Sequence, residues 1–293
     1  MDAAILAQLV INGILLGGVY TLAAFGLSLI FGVSGILNLA HGEFLMVSGF
    51  VIFLAFDTFG IDPFLLVILI APLFFFVGYA FEKVLIKPLV MRKEHVRLAS
   101  ATLVTLGAAL MIEDVFAFLS QGDVFEKSID LYIPSIVWGE LYLPSLKLVV
   151  FGIVVALIIG LVLFLKYTYL GLAVQAVSQN RGGALLSGIN TMRINAIAFG
   201  IGTMLAATAG GFEVIHSFIA PNIGLPLTLK YLVIVVMGGL GSFVGVAVGG
   251  VIVGFAESFV GFFNPAWGQT MAYLLLVAVL VVRPSGLFGK TET

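Results

Sequence analysis

The sequence predicts an all-α fold, a polytopic transmembrane helix bundle of eight or nine spans with a short amphipathic helix on one membrane face. Three observations carry that prediction. Hydrophobic residues make up 61% of the 293, charged residues only 10%, and the mean hydropathy is +1.23. A soluble chain of this size needs far more charge to cover its surface. The apolar residues also gather in nine long runs, and about 20 of them suffice for a helix to cross a ~30 Å hydrocarbon core. Finally, lipid leaves no partner for isolated polar backbone, so runs of this kind cross as helices. The net charge of −2 leaves no large basic face for nucleic acid. With no cysteine, disulfides, thiol catalysis and cysteine metal sites are excluded together.

In chain order the runs are Ile5–Phe31, Ile36–Phe56, Pro63–Leu85, Leu98–Leu119, Leu146–Leu165, Ile194–Gly211, Leu225–Gly239, Phe243–Phe263 and Gly268–Val282. The first lacks a basic leader and is too long for a signal-peptide core, so it is expected to stay in the mature protein. The seventh and ninth are short, and the second contains Asn38, His41 and Glu43. A broken or re-entrant segment is expected among these three, hence eight or nine spans.

Ten of the thirteen basic residues fall in three regions: Lys83, Lys87, Arg92, Lys93 and Arg97; Lys166, Arg181 and Arg193; and Arg283 with Lys290. Ser120–Ser145 is the reverse, with Asp123, Glu126, Asp130 and Glu140 against Lys127. Basic loops stay in the cytoplasm. All loops agree if the chain starts outside and all nine segments cross; an even number of spans requires one re-entrant segment.

Leu170–Arg193 is the one long polar and basic interruption of the second half. Within it a helical piece fits Leu172–Leu186 and reads as a short helix lying on the membrane face, too polar to span and too apolar for a free linker. A partner protein could push on such a helix and move the spans at both ends. Gly13 and Gly17, Gly250 and Gly254, and Gly241, Gly245 and Gly249 repeat at four, the spacing that lets helix backbones approach closely in lipid. Val19–Phe53 and Leu227–Phe259 echo one another: an apolar run, a glycine break, then a second run with one carboxylate, the pattern of paired broken helices at a transport site.

Membrane-depth polar residues are costly and face protein or water. His41 and Glu43 suit either gating of a pathway or helix-end capping. A metal role for His41 lacks a second ligand at proper spacing. Lys230 and Glu257 fall at about the same depth of an antiparallel hairpin, which predicts an ion pair between them. Glu213, His216 and Asn222 are expected in the outer loop after the sixth segment, as solvated residues, as contacts for an external binding protein or as a meeting point for a zwitterionic substrate.

Several stretches resemble one family. Gly32-Val33-Ser34-Gly35-Ile36-Leu37-Asn38-Leu39-Ala40-His41-Gly42-Glu43-Phe44 is similar to the signature of branched-chain amino-acid ABC importer permeases, the smaller of the two permeases of the leucine/isoleucine/valine-type system. Ala176–Arg181, Ala184 and Ser187–Asn190 resemble its ATPase-contacting cytoplasmic loop; Met237–Ser242 with Gly245, and Arg283–Gly289, match as well. One departure is Gly182-Gly183, where the family has an acidic residue and alanine. Each glycine costs a helix about 1 kcal/mol, so the helix is expected to start later or kink there.

The resemblance implies one permease domain over residues 1–293 with a coupling loop at about 170–193. It implies coupling through Ala176, Gln179, Arg181, Ala184, Gly188 and Ile189, and a pathway or gate at Asn38, His41, Glu43, Gly238, Gly239, Gly241 and Ser242. The implied partners are a second permease in a heterodimer, two cytoplasmic ATPases that hold ATP and Mg, an extracytoplasmic binding protein, and membrane lipid, in the inner membrane of a prokaryote. The chain itself would bind no cofactor and have no catalytic residue. The tail from Pro284 to Thr291 imitates a P-loop, but Pro284 stands where the first glycine is needed and no strand precedes it. The implied cargo is a branched-chain amino acid, with urea, amides or another small polar solute as the alternative. An ion-coupled transporter using Glu43 or Glu257 stands further off. Three scattered histidines, 41, 95 and 216, argue against an intramembrane enzyme.

Overall fold

The computed structural model describes residues 2–90, 94–120, 126–131, 133–283 and 286–289 (the backbone alone for 90 and 94–96). Arg92, Lys93, Asp123, Pro284, Ser285, Lys290 and Thr291 therefore lie outside the described residues. The helices are α1 (Ala3–Ser34), α2 (His41–Phe59), α3 (Pro63–Phe81), continued by a π-helical turn (Glu82–Ile86) and α4 (Lys87–Val90), then α5 (Glu94–Leu119) and α6 (Ser145–Tyr167). There follow α7 (Tyr169–Gln179), α8 (Arg181–Leu186), α9 (Thr191–His216), α10 (Gly224–Gly238), α11 (Phe243–Phe263) and α12 (Pro265–Val282). A short hairpin pairs β1 (Ile136–Trp138) with β2 (Leu141–Leu143), antiparallel. Among the described residues eight helices are long and apolar enough to cross a membrane. The seventh run, α10, has only 15 residues, about 22 Å of helix.

Contacts divide the chain into two compact units. One comprises Met1–Phe25, Asp130–Ile158 and Lys230–Thr293; the other comprises Gly26–Ile129 and Ile159–Leu229. In the second unit α9 is the central post. It has the lowest hydropathy of the eight spans, 1.4, yet 94% of its apolar window is buried, against 11% for α5. Its sequence explains both values, because glycine, alanine and threonine are weakly hydropathic and small enough to admit neighbours. Helix α3 packs along α9 most extensively, then α2. Gly210 meets the Leu45 carbonyl so closely that a methyl group has no room.

In the first unit the repeated glycines form a helix–helix seam. A Cβ at Gly13 would lie 2.6 Å from Phe255 Cα, one at Gly17 would lie 2.8 Å from Val251 Cα, and Gly254 touches the Gly17 backbone. The four-residue spacing thus packs α1 on α11 within the chain. Helix α12 packs on α11 and starts with an Asn264 cap on Ala266 N–H, followed by Pro265.

Three expected boundaries change. The second segment becomes helical at His41, not Ile36. The surface helix expected over Leu172–Leu186 is two helices broken at Asn180, beside the Gly182-Gly183 pair that weakens helix there. The sixth segment extends to His216, so Glu213 and His216 occupy the last turn of α9; both side chains are largely buried, with His216 Nε2 3.8 Å from Glu213 Oε2. They are not solvated loop residues. Asn222 alone of that trio is exposed.

Candidate functional site

The surface segment is built from three successive caps. Thr168 accepts from Gly171 N–H at 3.0 Å and starts α7; Asn180 accepts from Gly183 N–H at 2.8 Å and starts α8; Asn190 accepts from Arg193 N–H at 3.0 Å and starts α9. Such caps satisfy the orphan donors of a helix's first turn. Helix α8 ends at Gly188, whose φ of +80° suits glycine, with Ile189 N–H donating to the Ala184 carbonyl. Gly171, Ala173, Val174, Val177 and Ala184 turn inward. Ala176, Arg181 and Ile189 are half-buried, while Gln179 and Gly188 are exposed. Leu185 and Leu186 project outward, 60% and 91% exposed. Burial lowers the Arg181 pKa from its ordinary value, the Arg97 charge adds to that, and Glu82 opposes it.

The Asn38–Glu43 stretch is a helix break inside the second unit. Gly35, at φ +66°, ends α1, and the chain runs non-helically to Ala40. Two buried threonines satisfy its backbone. Thr105 Oγ1 accepts from Leu39 N–H at 3.2 Å and donates to the Leu37 carbonyl at 3.3 Å. Thr228 Oγ1 accepts from Gly42 N–H at 2.7 Å and lies 3.2 Å from the Leu39 carbonyl. The Asn38 side chain accepts from Ala40 N–H at 3.2 Å. Irregular backbone at membrane depth persists only where protein satisfies it in this way.

Glu43 is 0% exposed, and neither carboxylate oxygen has a hydrogen-bond partner among the described residues. It lies in the first turn of α2 and presses on Gly224, the first residue of α10. The first turns of two helices thus meet at this carboxylate. His41 is fully buried beside Gly26, with its Cε1 3.0 Å from the place a Cβ would take there.

In the first unit Lys230 Nζ lies 3.1 Å from Glu257 Oε2 and 3.2 Å from Oε1. Tyr20, absent from the sequence-based pairing, completes the group: its hydroxyl accepts from Lys230 at 3.1 Å and donates to Glu257 at 3.0 Å. Gly238, Gly239, Gly241 and Ser242 form the turn from α10 to α11, with φ of +101° at Gly239 and +82° at Gly241. Ser242 caps α11 through Gly245 N–H. The tail folds onto this turn: Leu287 N–H donates to the Met237 carbonyl at 2.8 Å and Phe288 N–H to that of Gly238 at 3.1 Å. The two glycine breaks of the internal echo thus differ, one threaded between threonines and the other a tail-capped turn. Sequence reasoning also missed Glu82 and Asn195, whose side chains join α9 to the turn after α3 at 2.9 Å. The available signal was a lone acid amid Lys83 and Lys87.

Eight long apolar helices, a broken helix lined by buried polar groups and an amphipathic segment between two spans define a multi-pass membrane protein. The chain belongs to the family described as "Branched-chain amino acid transport system / permease component", whose model matches residues 9–280. It is 31% identical to the high-affinity branched-chain amino acid transport system permease protein BraD of Pseudomonas aeruginosa, over 97% of this chain and 96% of that protein. It is 30% identical to the corresponding permease protein LivH of Escherichia coli K12, with the same coverage. Among solved structures, PsaBC from Streptococcus pneumoniae in complex with Fab aligns at 14% identity and a TM-score of 0.46, covering 97% of this chain and 92% of that one.

Proposed function

We propose that this protein is the membrane-spanning permease subunit of an ATP-binding-cassette importer for branched-chain amino acids, and that it works by alternating access. The observation that carries the reading is family membership over nearly the whole chain, joined to a capped α7–α8 segment placed between two spans. Exposed Leu185 and Leu186 give that segment an apolar knob suited to a groove on a partner ATPase.

In this reading the basic loops and α7–α8 face the cytoplasm, the β1–β2 hairpin faces outside, and all nine apolar segments cross. Residues 217–223 enter non-helically, so the short α10 still completes its crossing. ATP is bound and hydrolysed, with Mg, on two cytoplasmic partner subunits; a second permease completes the pathway and an external binding protein delivers the solute. Closure of the ATPases presses on α8, and the load passes to α9. That requires ATP to stabilise one pathway conformation over the other.

The test is co-expression with the four partner subunits, purification and reconstitution in proteoliposomes. ATP-dependent uptake of leucine, isoleucine and valine in preference to urea or amides is expected. Uptake by this chain alone under an ion gradient, or a complex that moves urea or amides in preference, overturns the reading.

A further inference from the structure

Glu82 opens the π-helical turn at the end of α3 and is 1% exposed. Turns of this kind insert an extra residue into a helix and recur at functional positions. One carboxylate oxygen accepts from Asn195 Nδ2 on α9 at 2.9 Å. The other is buried without a hydrogen bond among the described residues, and so is Asn195 Oδ1. A buried carboxylate held by one hydrogen bond needs positive charge nearby. Lys87 and Lys83 beside it and Arg181 of α8 supply it. Arg97 of α5 has its Nε buried, with Nη2 4.0 Å from the place a Cβ would take at Gly35. Arg181, the first residue of α8, interacts electrostatically with Glu82 and with Arg97. From the same turn, Ile86 packs in a fully buried cluster with Ile30, Ile36, Ala101 and Phe199. Helix α3, helix α5, the end of α1 and the start of α9 therefore converge at this turn.

Residues 187–190 join α8 directly to α9, so a push on α8 reaches α9 through the chain. Nothing in that covalent link obliges α3 to follow. We propose that Glu82 is a positioning residue for coupling: through Asn195 it ties α3 to α9, and through Arg181 it receives the displacement of α8, so that α3 and α9 move as one body. This rests on the importer reading above and assigns to it a second, electrostatic route into the helix pair with the most extensive packing.

The test uses the full reconstituted complex and reads solute moved per ATP hydrolysed, a ratio that loss of folded protein alone does not change. Glu82→Gln keeps an acceptor for Asn195 and removes the charge; the ratio should fall about fivefold or more. Asn195→Ala should lower it too, and the double variant should fall no further than the worse single change, because both serve one link. Glu82→Asp, which retains the charge, should recover most of the ratio. A native ratio in Glu82→Gln, or losses that multiply in the double variant, overturns the proposal. So does a Glu82→Asp ratio as low as that of Gln. If Glu82→Gln fails to assemble, Arg181→Gln removes the charge from the other side, and a native ratio there overturns it equally. Absence of ATP-coupled uptake in the unaltered complex counts against the importer reading itself; native coupling in the variants counts against this link alone.

Discussion

Breaking the Lys230–Glu257 pair tests the packing of the first unit. The two side chains are 11% and 15% exposed. At 3.1 Å, with an effective dielectric of about 20, their attraction is about 5 kcal/mol, and much of it is offset by lost hydration. Among the described residues Lys230→Met leaves the Glu257 carboxylate with only the Tyr20 hydroxyl; Glu257→Gln leaves the ammonium with Tyr20 and its ring, 4.6 Å away. Each single change should destabilise by about 3–5 kcal/mol, the usual cost of stranding one member of a buried pair. The double variant strands no charge and should return close to native stability. The assay is a denaturation midpoint in detergent, followed by fluorescence of the two tryptophans. A double variant as unstable as the sum of the singles would refute the reasoning.

Other perturbations address the remaining elements. Gly42→Ala would push a methyl group onto the Gly224 carbonyl and to within 2.6 Å of Thr228 Oγ1, costing about 1–3 kcal/mol. Gly107→Ala, which meets nothing within 4 Å on α5, should be neutral or stabilise by up to about 1 kcal/mol; melting midpoints compare the two. Asn180→Ala removes the α8 cap at a cost of about 1 kcal/mol. That should reduce ATP-dependent uptake in proteoliposomes while Asn180→Asp preserves it, and equal uptake from the two would discount the cap. Gly250→Leu, placed on the Gly17 and Thr21 backbone, should cost several times as much thermal stability as Gly152→Leu, which has open space around it.

Much of the fold was legible because hydropathy reports directly on lipid exposure, and the Lys230–Glu257 pairing followed from depth along two antiparallel segments. The start of α2 was not legible. Ile36, Leu37, Leu39 and Ala40 are as apolar as any helix. Their departure from it depends on Gly35 and on threonines 66 and 189 residues away from Leu39 in sequence. Asn180 shows the opposite case, since a capping residue ahead of two glycines announces a break locally. Glu213 and His216 read as loop because they are polar, yet α9 carries them buried to its last turn. Glu82 escaped notice because Asn195 and Arg181 lie far from it in sequence, on α9 and α8.

The central claim is that α7–α8 takes up force from a nucleotide-hydrolysing partner on the cytoplasmic face. The chain has no cysteine, so Gln179→Cys on the exposed side of α7 offers one reactive thiol. Cross-linking it in native membranes to a co-expressed ATPase subunit engineered with a cysteine should give a permease–ATPase adduct whose yield changes with ATP. Modification of that thiol by a membrane-impermeant maleimide added outside intact cells, with no adduct formed, would contradict the account.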